Sequence, residues 1–283
     1  MQFSPLMPDP KGASRAARIL AGDAMAQIKA ALDHGGVLAV LAHVEGGFYR
    51  SVGALMHISA EGQRTGALSA GCVDHDIALH AQEVARGGQM RRVRYGVGSE
   101  FADLRLPCGG AIEVDLWPVA QLDGLAQTFA QIKGRQSSCL TVPSGAHYPI
   151  EPDLRIALYG AGEDAAIFAA VSQAAGYDLC AELPLRQIST WVDPRTAVVV
   201  MLHDHEKEDA ILIEALRSRA FWIGAMGSER AHAQRLERLR ATGLSTSQLA
   251  RIHGPIGLIP AQREPRGLAV SILADVAASF ACM

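Results

Sequence analysis

The segment Arg155-Ile156-Ala157-Leu158-Tyr159-Gly160-Ala161-Gly162 constrains this chain more than any other. A short apolar strand runs into two glycines one residue apart, and a helix-favouring stretch follows to about Ala175, where Gly176 ends it. A strand that passes so directly into a helix opens a βαβ unit, because parallel neighbours need a crossover. The alternation then repeats. Tyr177–Ala181 reads as a second strand, and Ala197–Leu202 is a continuous apolar run, as a strand buried on both faces requires. Lys207–Arg219 reads as a helix and Phe221–Ala225 as a strand. Gly227-Ser228 then leads into a charged helix, Glu229 to Arg240, which reads as a solvated face anchored by Leu236 and Leu239. The pattern predicts a Rossmann-like, doubly wound parallel sheet over residues 149–283.

The Gly160 turn is a degenerate dinucleotide fingerprint in which Ala165 stands at the third glycine position. Gly160 would make the turn, and Gly162 would let a phosphate approach the helix N-terminus. Glu182 follows about 20 residues on, where a ribose-binding acid would sit. Glu163 and Asp164 at the helix start would either repel phosphate or cap the helix. His203 and Asp204 close the third strand, the productive end of an open α/β sheet. Asp204 or His205 could equally cap the helix that follows.

The first half is less regular. Ala16–His34 and Asp74–Arg86 have helical apolar spacing. Val37–Val44 is a buried-strand candidate, and Gly53–Ser59 reads as a strand returning through Glu61-Gly62 to Gly66–Ser69. Val93-Arg94-Tyr95 is a short strand candidate. Ala111–Trp117 alternates Ile112, Val114 and Leu116 with Glu113 and Asp115, a half-buried strand. Residues 1–148 are therefore expected to form a mixed α/β domain, with the boundary in the polar stretch Gln136 to Glu151. The length of 283 residues suits two domains. A net charge of −3 argues against a nucleic-acid or anionic-membrane surface. No apolar run approaches a membrane span, and Met1–Ala13 lacks the pattern of a secretory signal and reads as a frayed arm. Five cysteines without framework spacing fit reduced thiols and a cytoplasmic location.

Two of those cysteines sit in glycine-rich turns, Gly71-Cys72-Val73-Asp74 and Cys108-Gly109-Gly110. Glycine beside a thiol leaves backbone N–H groups bare and lets a large ligand approach. The other reading is two small core residues at tight turns. Zinc is a rival, with Cys72, His75 and Cys108 as ligands and Asp74 or His80 as a fourth. Arg50 and Arg105 are candidates to favour thiolate. Cys180 reads as core, and Cys139 and Cys282 show no role.

Taken in order, several segments resemble the XdhC/CoxI family of molybdenum hydroxylase accessory proteins. The resemblance runs from about Gly36 to Val276. It rests on Arg50-Ser51-Val52-Gly53-Ala54-Leu55-Met56, the two cysteine turns, and Gly160-Ala161-Gly162. It continues through Leu202-His203-Asp204-His205-Glu206-Lys207-Glu208-Asp209, Ile223–Ser228, Pro255-Ile256-Gly257-Leu258 and Ala269–Asp275. It departs at Val52, Ala70, Glu163, Glu182 and Arg266-Gly267, where the family commonly carries other residues. The resemblance implies a chaperone without turnover of its own. Such a protein would bind molybdenum cofactor, as molybdopterin or its dinucleotide form, and support its sulfuration by a cysteine desulfurase. It would then deliver the cofactor to a hydroxylase of the xanthine dehydrogenase family. A homodimer is also implied. The implied cofactor contacts are Arg50, Gly71, Cys72, Cys108, Gly109, Gly110, Gly160, Gly162, His203, Asp204, Gly227 and Ser228, with Cys72 and Cys108 touching molybdenum or sulfur. The alternative function is an NAD(P)-dependent oxidoreductase using the Rossmann-like domain.

Overall fold

The computed structural model describes residues 18–69, 71–99, 106 and 109–283, and for Cys72 the backbone alone. The chain divides into two units, residues 1–152 and 153–283.

The first unit is built from β1 (Ile19–Leu20), α1 (Ala21–His34), β2 (Val37–Glu45), β3 (Leu55–Ile58), β4 (Arg64–Gly66), α2 (Cys72–Gly87) and β5 (Arg91–Gly96). It ends with β6 (Ala111–Pro118), α3 (Leu125–Lys133), β7 (Ser138–Thr141) and β8 (His147–Glu151). An antiparallel sheet runs β4-β3-β2-β6-β5. Both its faces are covered, which is why β2 is apolar at successive positions. Val37, Ala39 and Leu41 join Ile77, Ala81 and Val84 of α2. Leu38 and Val40 join Ala24 and Ile28 of α1, Ile132 of α3 and Ile150 of β8. Three expectations shift here. The return strand of the first hairpin is Arg64–Gly66, because Ala67–Ser69 turn away towards α2. The polar stretch after residue 136 folds as the hairpin β7–β8, with β1 alongside β8. Asp115 is only 1% exposed, although its place on β6 alternates with apolar residues. Arg92, directly opposite on β5, binds both its carboxylate oxygens at 2.6 and 2.8 Å. A bidentate guanidinium is the partner that makes a buried carboxylate tolerable.

The second unit comprises β9 (Arg155–Gly160), α4 (Glu163–Ala174), β10 (Asp178–Ala181), α5 (Ile188–Trp191), β11 (Thr196–Met201), α6 (His205–Arg217) and β12 (Trp222–Ala225). It closes with α7 (Glu229–Ala241), α8 (Thr246–Leu249), β13 (Ile252–His253) and α9 (Pro265–Ala281). All five strands are parallel, in the order β10-β9-β11-β12-β13. The strand order reverses between β9 and β11, so the switch point lies at their carboxyl ends. Period-two alternation divides the apolar residues between two layers. Ala157, Val198, Val200 and Ile223 meet Leu212 of α6 and Leu239 of α7. Ile156, Leu158, Val199 and Trp222 meet Phe168 of α4 and Ile272 of α9. Helices on both faces of one parallel sheet make the expected doubly wound fold.

Candidate functional site

In the first unit the chain reaches Cys72 through Gly71, whose φ of 73° lies in the left-handed region that glycine adopts at no steric cost. Cys72 is the first residue of α2. The turn ahead of it is shaped by Asp74. Its buried Oδ1 accepts from the Ser69 N–H at 2.7 Å and the Leu68 N–H at 3.2 Å. Burial pushes the Asp74 pKa up, against those hydrogen bonds and the charges of Arg64 and Arg50. Arg50 therefore sits near enough to act on this turn, while its Nη1 lies 3.5 Å from Asp23. With Asp23 and Gln27 it lines a small polar cavity of about 240 Å³. Gly109 donates to the Leu106 carbonyl, and Gly110 leads into β6. Cys108 and Arg105 lie outside the described residues, as do Ala70 and the segment before Arg18. His75 is exposed, and His80 lies 3.3 Å from Asp76. Among the described residues no group of three His, Cys, Asp or Glu side chains could hold a metal ion.

In the second unit the predicted residues fall at the carboxyl edge of the sheet but not into one place. Gly160 lies on the wall of a crevice of about 620 Å³ at the switch point, with Tyr159, Glu182, Leu183, Leu202 and Lys207. A Cβ on Gly160 would stand 2.9 Å from Ala165 Cβ, Met201 Cβ and the Met201 carbonyl. Its glycine serves close helix–strand packing, the task expected of the third fingerprint position. Gly162, with φ 95°, is the N-cap of α4 and has no side chain to cap it, while Glu163 and Asp164 both lie in the first turn, where negative charge favours the helix N-terminus. Glu182 does sit at the end of β10, where its Oε1 accepts the Gly160 N–H at 2.9 Å. Gly227 and Ser228 line a different cavity, of about 870 Å³. Gly162, His203 and Asp204 line neither. Asp204 caps α6 by accepting from the Glu206 and Lys207 N–H groups, and His203 is exposed beside it.

Sequence reasoning missed what holds these loops. Arg235 on α7 is not a solvated residue. It and Glu208 on α6 are each 2% exposed and joined by two hydrogen bonds of 2.9 Å. Arg235 Nη2 also donates to the Met226 carbonyl at 2.6 Å and so fixes the Met226-Gly227-Ser228 turn. Arg238, one turn further on, pairs bidentately with Asp209 and also reaches Glu208. The signal was present as arginines at 235 and 238, three apart on one helix face, with acids at 208 and 209 on the preceding helix. On the other side of the sheet, Gly257 N–H donates to Asp275 and Ile259 N–H to Ser271. The segments Pro255–Leu258 and Ala269–Asp275 are thus two halves of one brace.

Residues 156–276 match the XdhC Rossmann domain, and residues 30–96 match the XdhC and CoxI family. The chain is 32% identical over 263 residues to the molybdenum cofactor insertion chaperone PaoD of Escherichia coli, covering 86% of this chain and 83% of that one. The chain belongs to the XdhC/CoxI family. It is also 24% identical to a protein of Bacillus subtilis described as a probable xanthine dehydrogenase subunit, over 85% of this chain and 92% of that protein. A crystal structure from Bacillus halodurans, described as a xanthine dehydrogenase, shares the fold of this XdhC/CoxI chain. Its TM-score is 0.68 at 22% identity, covering 91% of this chain and 96% of that one. No described helix is long and apolar enough to cross a membrane.

Proposed function

We propose that this protein is a cytoplasmic molybdenum cofactor chaperone that loads a molybdenum hydroxylase of the xanthine dehydrogenase family. The observation that carries the reading is the near-full-length similarity to a molybdenum cofactor insertion chaperone. The residues suit such a cargo. Cys72 begins a helix, a position at which thiols ionise more readily, and thiolate is a soft partner for molybdenum or sulfur. The Gly162 turn leaves the α4 amides without a side-chain cap and has open space where a Cβ would stand, which suits a phosphate-bearing ligand. Arg50, Gly71, Cys72, Cys108, Gly109 and Gly110 serve the cofactor in the first unit. Gly160 and Gly162 serve its phosphate in the second, with His203, Asp204, Gly227 and Ser228 in supporting positions.

In this reading the chaperone shields the cofactor, supports its sulfuration by a cysteine desulfurase, acts as a homodimer and catalyses no turnover of its own. The deciding experiment is purification from a molybdenum-replete host, followed by oxidation and chromatography of the released pterin. Wild type should carry pterin, while Cys72→Ser and Cys108→Ser should fold and lose it, since oxygen is a poor soft-metal ligand. A wild-type protein that carries no pterin, and whose absence leaves the hydroxylase fully loaded, would refute the chaperone role. Retention by both serine variants would refute the thiol contacts alone.

A further inference from the structure

The cavity of about 870 Å³ is lined by the Met226–Ser228 turn after β12 with the start of α7, by the stretch from Pro255 to Arg263, by the first turn of α9 and by Asp164 of α4. Both walls are built rather than loose. Arg235, itself buried against Glu208, holds the Met226 carbonyl. Asp275 and Ser271 hold the backbone of Gly257 and Ile259. Buried polar braces fix geometry at a desolvation cost, and a preformed concave site is where that cost is useful. The cavity opens beyond the carboxyl ends of parallel strands β12 and β13, where open α/β sheets bind their ligands.

The lining carries its own description of an occupant. Met226, Ile256 and Leu268 supply an apolar surface. Arg230 and Arg263 are exposed cations on the rim, and among the described residues neither forms an ion pair. Asp164 and Glu229 line the same space without pairing to them. A fitting ligand therefore needs an anionic group for two guanidiniums, N–H donors for the carboxylates and a flat apolar body. A nucleoside monophosphate has all three, and the volume lies within the range of small-molecule sites.

We propose that this cavity is a nucleotide site, distinct from the crevice at Gly160, with Arg230 and Arg263 receiving the phosphate. The proposal does not rest on the cofactor reading and can be tested without cofactor. Calorimetry on the full chain should show binding of at least one of AMP, GMP, CMP and UMP. Arg230→Ala with Arg263→Ala should weaken it by about tenfold or more, with an unchanged circular-dichroism melt. Lys207→Ala, in the other crevice, should leave it unaltered. The proposal falls if no nucleotide binds at millimolar concentration. It also falls if the double arginine variant binds as wild type does, or if Lys207→Ala is the variant that abolishes binding. Inorganic pyrophosphate binding as tightly as every nucleotide would overturn the nucleotide assignment in favour of a plain anion site.

Discussion

Arg235→Met isolates the buried brace between α6 and α7. The wild-type guanidinium and the Glu208 carboxylate each have side chains 3% exposed, and they share two hydrogen bonds. Removing the arginine strands a buried carboxylate and releases the Met226 carbonyl. Breaking such a pair costs about 3–5 kcal/mol. Glu208 keeps one bond from Arg238 at 3.0 Å, so the lower end applies, about 3 kcal/mol. The second unit spans residues 153–283. A domain of roughly 130 residues has an unfolding entropy of about 0.27 kcal/mol/K, so the expected fall in Tm is about 11 °C. Differential scanning calorimetry of the full chain measures it. Glu208→Met combined with Arg235→Met should recover most of the loss, because no charge is then stranded. A single-variant loss below about 1 kcal/mol would refute the reasoning. So would a double variant no more stable than the single one.

Three further outcomes are expected. Gly160→Ala should destabilise by about 1–3 kcal/mol, since its Cβ would meet the Met201 carbonyl, which cannot swing aside; a thermal melt matching wild type would contradict this. Burial raises the Asp74 pKa above its ordinary 3.8, so in the pH window above that value the folded state binds the proton more tightly and stability falls as pH rises. Asp74→Asn keeps an acceptor for Leu68 and Ser69 without the charge, so urea unfolding should show it at least as stable as wild type at pH 7, with the gap closing as pH falls to 3.8; a loss above about 1 kcal/mol at pH 7 would show that the charge itself is needed. His57 and His232 are both held below their ordinary 6.5 chiefly by burial, so their contribution is complete above that pH and lost as pH falls beneath it; urea midpoints should drop on acidification below 6.5, and less steeply in His57→Gln, whereas parallel curves would exclude His57 as a source.

The second unit was more legible than the first, for a physical reason. Parallel strands buried on both faces leave long apolar runs such as Ala197–Leu202, and glycine turns mark where each passes into a helix. The short elements β1, β7 and β13 leave no comparable mark. Four-residue β7 shows exposure at alternate positions and pairs with β8 in a hairpin, and β8 in turn is held by β1 through Ile19 opposite Ile150, a long-range fact that local pattern does not encode. Helix α9 did carry readable signals, Glu264 as its N-cap and Pro265 in its first turn. Before Cys72 the glycine in the sequence marked the turn, and the structure added Asp74 as the residue that shapes it. At the sheet edge the sequence reading pointed to the carboxyl ends of the strands, where the structure has two separate crevices rather than one.

That division follows from how the charged segment Asp204–Asp209 is used. Read along the chain, its acids and histidines resemble a ligand set. In the fold they face three ways. Asp204 turns back onto its own helix as a cap, Glu208 points inward to Arg235, and Asp209 meets Arg238. Of the segment's charged side chains, Glu206 and Lys207 are those on the wall of the Gly160 crevice. A helix places residues three and four apart on one face, so 204 and 208 cannot share a single ligand with 206 without leaving their partners. The segment instead joins the two crevices mechanically. One end caps α6 beside the switch point, and the other, through Arg235, sets the Met226 carbonyl on the wall of the second cavity. A substitution at Glu208 should therefore disturb the cavity at Ser228 before it disturbs the crevice at Gly160, although Glu208 lines neither.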